Sequence, residues 1–287
     1  MANKKKTLDT LVQDIYDKLD TLTEGQSLGV SEETATAFGE AMKQALLGWS
    51  GEHPINKPTL RMSNIGKPNR QLWYDMKATD QKNSFSAATQ IKFLYGHILE
   101  EVVLFLARLA GHEVTDEQKE VKVQGIKGHM DCKIDGEVID VKTASGFAFK
   151  KFKDGTLADD DPFGYMAQIA GYEAAEGTEH GGFLTLNKES GELALFRPQE
   201  LDKPNIVQRI KTLKKQIKQD TPPEKCYGTV PEGTSGNMKI ARPCVYCRHK
   251  FVCHADANDG KGLRVFKYSK KLEYLTNVAK LPRVREV

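Results

Sequence analysis

The chain is short of the features that settle a function at once. Its 287 residues include two tryptophans and five cysteines, and they contain no internal repeat or long low-complexity segment. No apolar run approaches the roughly 20 residues a membrane span needs. The basic start, Lys4-Lys5-Lys6, is followed by no apolar stretch, so a secretory signal is not expected. Neither charge sign dominates: 42 basic residues against 39 acidic ones leave +3. That balance decides little, and a nucleic-acid preference has to come from how charge is distributed. No G-x-x-x-x-G-K-[ST] phosphate loop occurs, so no helicase motor is expected. These absences point to a cytoplasmic chain, where clustered cysteines read better as metal ligands than as disulfides.

What is present is patterned. Residues 7–22 and 31–49 read as amphipathic helices, and 51–69, rich in Pro, Gly and Asn, as irregular chain. From Ala87 to Leu109 the apolar spacing predicts a long helix, stopped by Gly111. The period then drops to two. Strands are expected at 120–124, 128–134, 137–144, 182–186 and 193–197. Helices are expected at about 162–175 and 204–218. The fold class is α/β, with a mixed central β-sheet flanked by helices. The expected organisation is a helical N-terminal extension (1–60), a core (61–220) and a cysteine-cluster segment with a basic tail (221–287).

One hairpin concentrates the acidic chemistry. Asp135-Gly136 is a favoured two-residue turn flanked by alternating residues. That turn would set Ile134 against Glu137, Cys132 against Ile139, Asp131 against Asp140, and His129 against Lys142. Directly opposed side chains share a face about 5 Å apart, so two aspartates there repel. A divalent cation removes the conflict, because carboxylate oxygens suit Mg²⁺. Lys142, on the same side, would orient water or stabilise charge on a phosphate. Met130, Cys132, Ile134, Ile139 and Val141 form the opposite, apolar face. The competing reading is an ordinary half-exposed hairpin, with Cys132 as a small buried hydrophobe.

Gly128-His129-Met130-Asp131 followed by Ile139-Asp140-Val141-Lys142 resembles the PD-(D/E)XK nuclease superfamily. The likeness is closer to its RecB-like exonuclease branch, which includes CRISPR-associated iron–sulfur nucleases. Gln168-Ile169-Ala170-Gly171-Tyr172 is similar to that branch's Q-x-x-x-Y element. Gly96-His97-Ile98-Leu99-Glu100 is similar to its G-x-x-x-(H/E) element. These elements span residues 96–172 in the family's order. The resemblance implies a restriction-endonuclease-like core. It implies a metal site of Glu100, Asp131, Asp140 and the Val141 carbonyl, with Mg²⁺ or Mn²⁺ bound. His97 is the less fitting substitute for Glu100. Lys142 would assist the attacking water, and Gln168 and Tyr172 would contact DNA or brace the lysine. Ser63, Arg70 and Tyr74 look like the element at the family's domain start, but the cysteine that element carries is missing here.

Cys226, Cys244, Cys247 and Cys253 form C-x17-C-x2-C-x5-C. The C-x2-C spacing suits two thiolates on one tetrahedral ion. Spacing alone favours Zn²⁺; resemblance favours a [4Fe–4S] cluster, with Cys226 replacing the missing ligand. His249 and His254 are alternative ligands. Positive charge gathers at Lys203, Arg209, Lys211, Lys214, Lys215 and Lys218, and in a tail from Lys261 to Arg285. Lys150, Lys151 and Lys153 follow the catalytic strand and are better placed for a substrate strand. Phe147, Phe149 and Phe152 among them would stack on bases or pack in the core. The expected function is a metal-dependent DNA nuclease, exonucleolytic by resemblance. A structure-specific endonuclease, or a catalytically weak DNA-binding repair module, stands as the alternative. The expected partners are DNA and a helicase or single-strand-binding protein, in a bacterial or phage-infected cell.

Overall fold

The computed structural model describes residues 6–51, 58–77 and 86–287. In chain order the helices and strands begin α1 (Leu11–Asp20), α2 (Glu32–Ser50), α3 (Asn69–Lys77), α4 (Ala87–Leu109), β1 (Val114–Thr115) and β2 (Lys119–Val123). They continue β3 (Ile126–Met130), β4 (Cys132–Ile134), β5 (Glu137–Ala144), α5 (Gly146–Lys153), α6 (Tyr165–Glu176), β6 (Gly182–Asn187), β7 (Leu193–Phe196) and α7 (Ile206–Ile217). Last come β8 (Thr229–Pro231), β9 (Met238–Ile240), the single-turn helices α8 (Arg242–Val245), α9 (Lys250–Cys253) and α10 (Ala257–Gly260), and β10 (Arg264–Lys267) and β11 (Leu272–Asn277). The fold is mixed α/β, and the chain divides into two compact units. One comprises residues 1–66 and 80–211, the other 67–79 and 212–287.

The first unit is built on a five-stranded sheet in the order β1-β4-β5-β6-β7. Only β5 and β6 run parallel. A parallel pair needs a long crossover, and α5 and α6 supply it. One side of the sheet packs Cys132, Ile134, Ile139, Val141 and Leu184 against Leu11 and Ile15 of α1 and Val103, Leu104 and Ala107 of α4. Each such leucine or isoleucine contributes about 1.5–3 kcal/mol by leaving water. Helix α4 has the expected bounds because its ends are marked locally. Ser86 Oγ accepts the Thr89 N–H at 3.3 Å, and Gly111 turns the chain out at φ +87°.

The Asp135-Gly136 turn forms with both residues at positive φ, +53° and +88°. The expected register holds for Ile134 with Glu137 and Cys132 with Ile139. It fails one residue further on. The expected strand 128–134 is two strands, β3 and β4, in different sheets, and β3 pairs with β2. Asp131 stands at the break. Its Oδ2 accepts the Val141 N–H at 2.7 Å, replacing a ladder bond. Asp131 therefore does not oppose Asp140 across a ladder, and His129 opposes Glu120 rather than Lys142.

Helix α5 interrupts what read as a run of lysines and phenylalanines. Phe149 and Phe152 are buried in packing, which removes them as base-stacking candidates; Phe147 stays 65% exposed. Lys203 and Arg209 are also spent on structure. Lys203 pairs with Glu173, both almost fully buried, and Arg209 Nε donates to the Ile65 carbonyl at 3.0 Å.

The second unit holds an antiparallel sheet, β10-β11-β9-β8. What read as a basic tail is thus strand, with Phe266 and Leu275 buried while cations such as Lys267 face outward. Helix α3, which starts at the last residue of the segment read as irregular, belongs here: Leu72 and Trp73 are buried, and Trp73 Nε1 donates to the Gln219 carbonyl at 3.0 Å. Among the described residues no helix is long and apolar enough to cross a membrane.

Candidate active site and thiol cluster

Strand β5 presents Asp140 and Lys142 on one face, two residues apart. That face is covered by α6 instead of opening to water. Asp140 is completely buried. Its Oδ1 accepts a hydrogen bond from Gln168 Nε2 at 3.0 Å. Its Oδ2 is held by the Lys142 ammonium in a direct ion pair. Gln168 Nε2 also reaches the Tyr172 hydroxyl at 3.1 Å, and that hydroxyl donates to the His129 carbonyl at 2.7 Å. Gln168 and Tyr172, one helical turn apart, therefore act together. Gln168 braces Asp140, not Lys142, and Tyr172 anchors the end of β3.

Glu100 approaches from α4. Its Oε1 accepts from Gln118 Nε2 at 2.7 Å, and the Gln118 N–H donates to the Asp131 carbonyl at 3.0 Å. Gln118 thus ties Glu100 to the chain break at Asp131, and it does so at φ +50°, a conformation non-glycine residues rarely hold. His97, the alternative to Glu100, is exposed.

The electrostatics show three acids held near one another. Burial, then Glu101 and Asp140, push the Glu100 carboxyl up to about 7. Burial and the charges of Asp140 and Glu100 hold Asp131 well above the usual carboxylate range. Burial also raises Asp140, against the opposing pull of Lys142. For Lys142, burial alone would favour the neutral amine, but Asp140 and Asp131 outweigh it and keep the ammonium charged. The lysine side chain keeps 19% exposure, so it remains reachable. Its ammonium lies 5.0 Å from the centroid of Tyr165. Gln118 and Tyr165 went unread in the sequence; a glutamine in a tight β-connection and an aromatic at a helix start carry little signal of their own.

Clustered, buried carboxylates of raised pKa have the donor chemistry of a hard divalent cation. Among the described residues, however, no three His, Cys, Asp or Glu side chains converge as a finished cage. The acids fit such an ion by charge and donor type, while the final approach of their oxygens is not formed.

In the second unit the four cysteines are free thiols, Cys226 exposed and Cys244, Cys247 and Cys253 half-buried. Burial, then the neighbouring Cys253, Cys247 and Cys226, push Cys244 up to about 11. Arg70 Nε lies 3.2 Å from Cys253 Sγ, so a cation already faces one thiol. His249 Nε2 is held by Asp75 at 2.7 Å. His254 is buried, with Nδ1 unpartnered among the described residues. Four neighbouring thiols suit Zn²⁺ or an iron–sulfur cluster by donor type, though no three His, Cys, Asp or Glu side chains among the described residues form a metal cage.

No family model and no curated protein matches the chain. Among solved structures it is similar to the protein titled SSO0001, with 17% identity and TM-score 0.34 over 67% of this chain and 89% of that one. It is also similar to the alkaline exonuclease LHK-Exo of Laribacter hongkongensis, with 14% identity and TM-score 0.36 over 54% of this chain and 89% of that one. The same enzyme in complex with dAMP gives 13% identity and TM-score 0.35 over 56% and 90%.

Proposed function

We propose that the chain is a divalent-metal-dependent deoxyribonuclease with its active centre in the first unit. The observation that carries this reading is the buried acid set Asp140, Asp131 and Glu100 with Lys142 beside it. One ammonium offsets only part of the charge of three neighbouring buried acids, and a divalent cation would complete that balance. Glu100, Asp131, Asp140 and the Val141 carbonyl would hold Mg²⁺ or Mn²⁺, which supplies Lewis acidity and a more acidic water. The protein's own part is preorganisation. Gln168 fixes Asp140, the Val141 N–H fixes Asp131, and Gln118 fixes Glu100. Lys142, kept protonated by the two aspartates, is placed to stabilise charge building on a phosphate oxygen and to orient water.

The exonuclease mode is supported by the resemblance of residues 96–172 and is the mode we favour. Strands would arrive at DNA ends or from a partner that opens duplexes. The thiol cluster would be a structural centre, with Zn²⁺ and [4Fe–4S] separable by metal analysis and by broad visible absorbance. The test compares linear with covalently closed circular DNA in Mg²⁺ or Mn²⁺. Loss of the linear form alone supports the exonuclease; nicking of circles makes the chain an endonuclease. Binding without cleavage of either overturns the enzyme reading in favour of a DNA-binding module.

A further inference from the structure

Phe163 is 60% exposed, in the turn that opens α6. An aromatic ring in water contributes little to folding, yet this one is held in place. Asp161 accepts the Gly164 N–H at 2.8 Å and the Met166 N–H at 2.9 Å, fixing the turn from within. Gly164 sits at φ +80° against the backbone of Gly66, so close that a Cβ would come within 2.2 Å of it. Lys151 grips the preceding residue, its Nζ donating to the Asp160 carbonyl at 2.8 Å. The acidic run before Phe163 is thus largely spent on capping and pairing.

The ring of Phe163 stacks on Tyr165, with centroids 5.5 Å apart and planes at 27°. Tyr165 in turn stands 5.0 Å from the Lys142 ammonium. A line of ring, ring and ammonium therefore leads from solvent to the buried acids. Beside it, Lys151 lies 5.7 Å from the exposed ring of Phe147, and the Lys150 side chain is 77% exposed. Flat apolar faces backed by cations are the combination that binds nucleic-acid strands without reading sequence.

We propose that Phe163, backed by Tyr165, is a stacking platform for an unpaired nucleobase of the DNA strand whose phosphodiester reaches Lys142, with Lys150 near the adjoining phosphates. The role of the phosphodiester rests on the nuclease reading; the binding of the base does not. The platform accepts any of the four bases, because each has a π-face. Its preorganisation lowers the cost of ordering the strand end.

The test uses the full chain and single-stranded oligonucleotides carrying 2-aminopurine near one end, without added divalent metal so that the strand persists. Wild type quenches the fluorescence. Phe163→Ala loses the quenching and binds about tenfold more weakly, and Phe163→Trp restores both. In Mg²⁺, Phe163→Ala raises KM about tenfold with kcat within about twofold. A strand with an abasic site at the stacked position shows the same loss on wild type, and the two losses do not add. Unchanged melting of Phe163→Ala verifies its fold. Equal quenching and affinity for wild type and Phe163→Ala, or full additivity of the two losses, overturns the platform. If no DNA is cleaved while quenching and its loss persist, the nuclease reading fails and the platform stands.

Discussion

The two units hold their clusters of acidic and thiol side chains in different ways. In the first, each carboxylate is held by a hydrogen bond from the protein: Gln168 on Asp140, the Val141 N–H on Asp131, Gln118 on Glu100. Each hangs from a long helix, a sheet strand or a bond to one. In the second, Cys244 and Cys253 lie on single-turn helices and Cys226 and Cys247 in loops, Cys226 exposed and the rest half-buried, with the Arg70 guanidinium on Cys253 and the His249 N–H on Cys247. Under the proposed reading the difference follows from what each cluster would do. A reaction centre has to be rigid in the absence of its ion, at a cost in stability. A structural centre lets the ion complete the fold, so that binding energy becomes folding energy.

Four sets of measurements would break or sharpen that contrast. Lys142→Met and Asp140→Asn strike the centre itself; each lowers single-turnover DNA cleavage on the order of a thousandfold or more, with strand binding retained. Gln168→Ala and Tyr172→Phe remove supports only, and lower cleavage about 10–100-fold, with weaker Mn²⁺ binding by calorimetry. In the second unit, Cys247→Ser abolishes stoichiometric metal and lowers Tm by several degrees, while cleavage per folded molecule stays within about threefold. A thousandfold loss there would erase the distinction between the units. The smallest effect is on pH. The Glu100 pKa is raised in the folded state, so the folded chain binds its proton more tightly than the unfolded one. Metal-free stability therefore falls as pH rises from about 4.5, the ordinary glutamate value, through about 7, and levels off above. Thermal melts of metal-free wild type and Glu100→Gln across that window check this; the variant's profile is flatter.

Much of the first unit was legible because its signals are local. The 23-residue apolar period of α4, with Ser86 and Gly111 at its ends, and the Asp135-Gly136 turn need no tertiary context. The register of β4 on β5 followed from the turn alone. It broke at Asp131 because a carboxylate took the Val141 N–H, and no alternation of residues records which acceptor a strand N–H will choose. The closeness of Glu100 to Asp131 came through motif order, whereas Gln118 between them was invisible: its role depends on a left-handed backbone angle. Helix α5 hid behind phenylalanines and lysines that suit exposed or core positions equally. The last sheet hid behind cations, because β9 to β11 place lysines and arginines beside Ile240, Phe266 and Leu275.

One substitution tests the central claim, that the first unit sacrifices stability to hold acids for a divalent ion. Asp131→Asn keeps an acceptor for the Val141 N–H and removes the charge that burial, Asp140 and Glu100 oppose. Tm of the metal-free protein and single-turnover cleavage of end-labelled linear DNA in Mn²⁺ are measured on the same preparation. The account predicts a Tm higher than wild type by a few degrees together with a loss of cleavage on the order of a hundredfold or more. Wild-type cleavage by Asp131→Asn would contradict it.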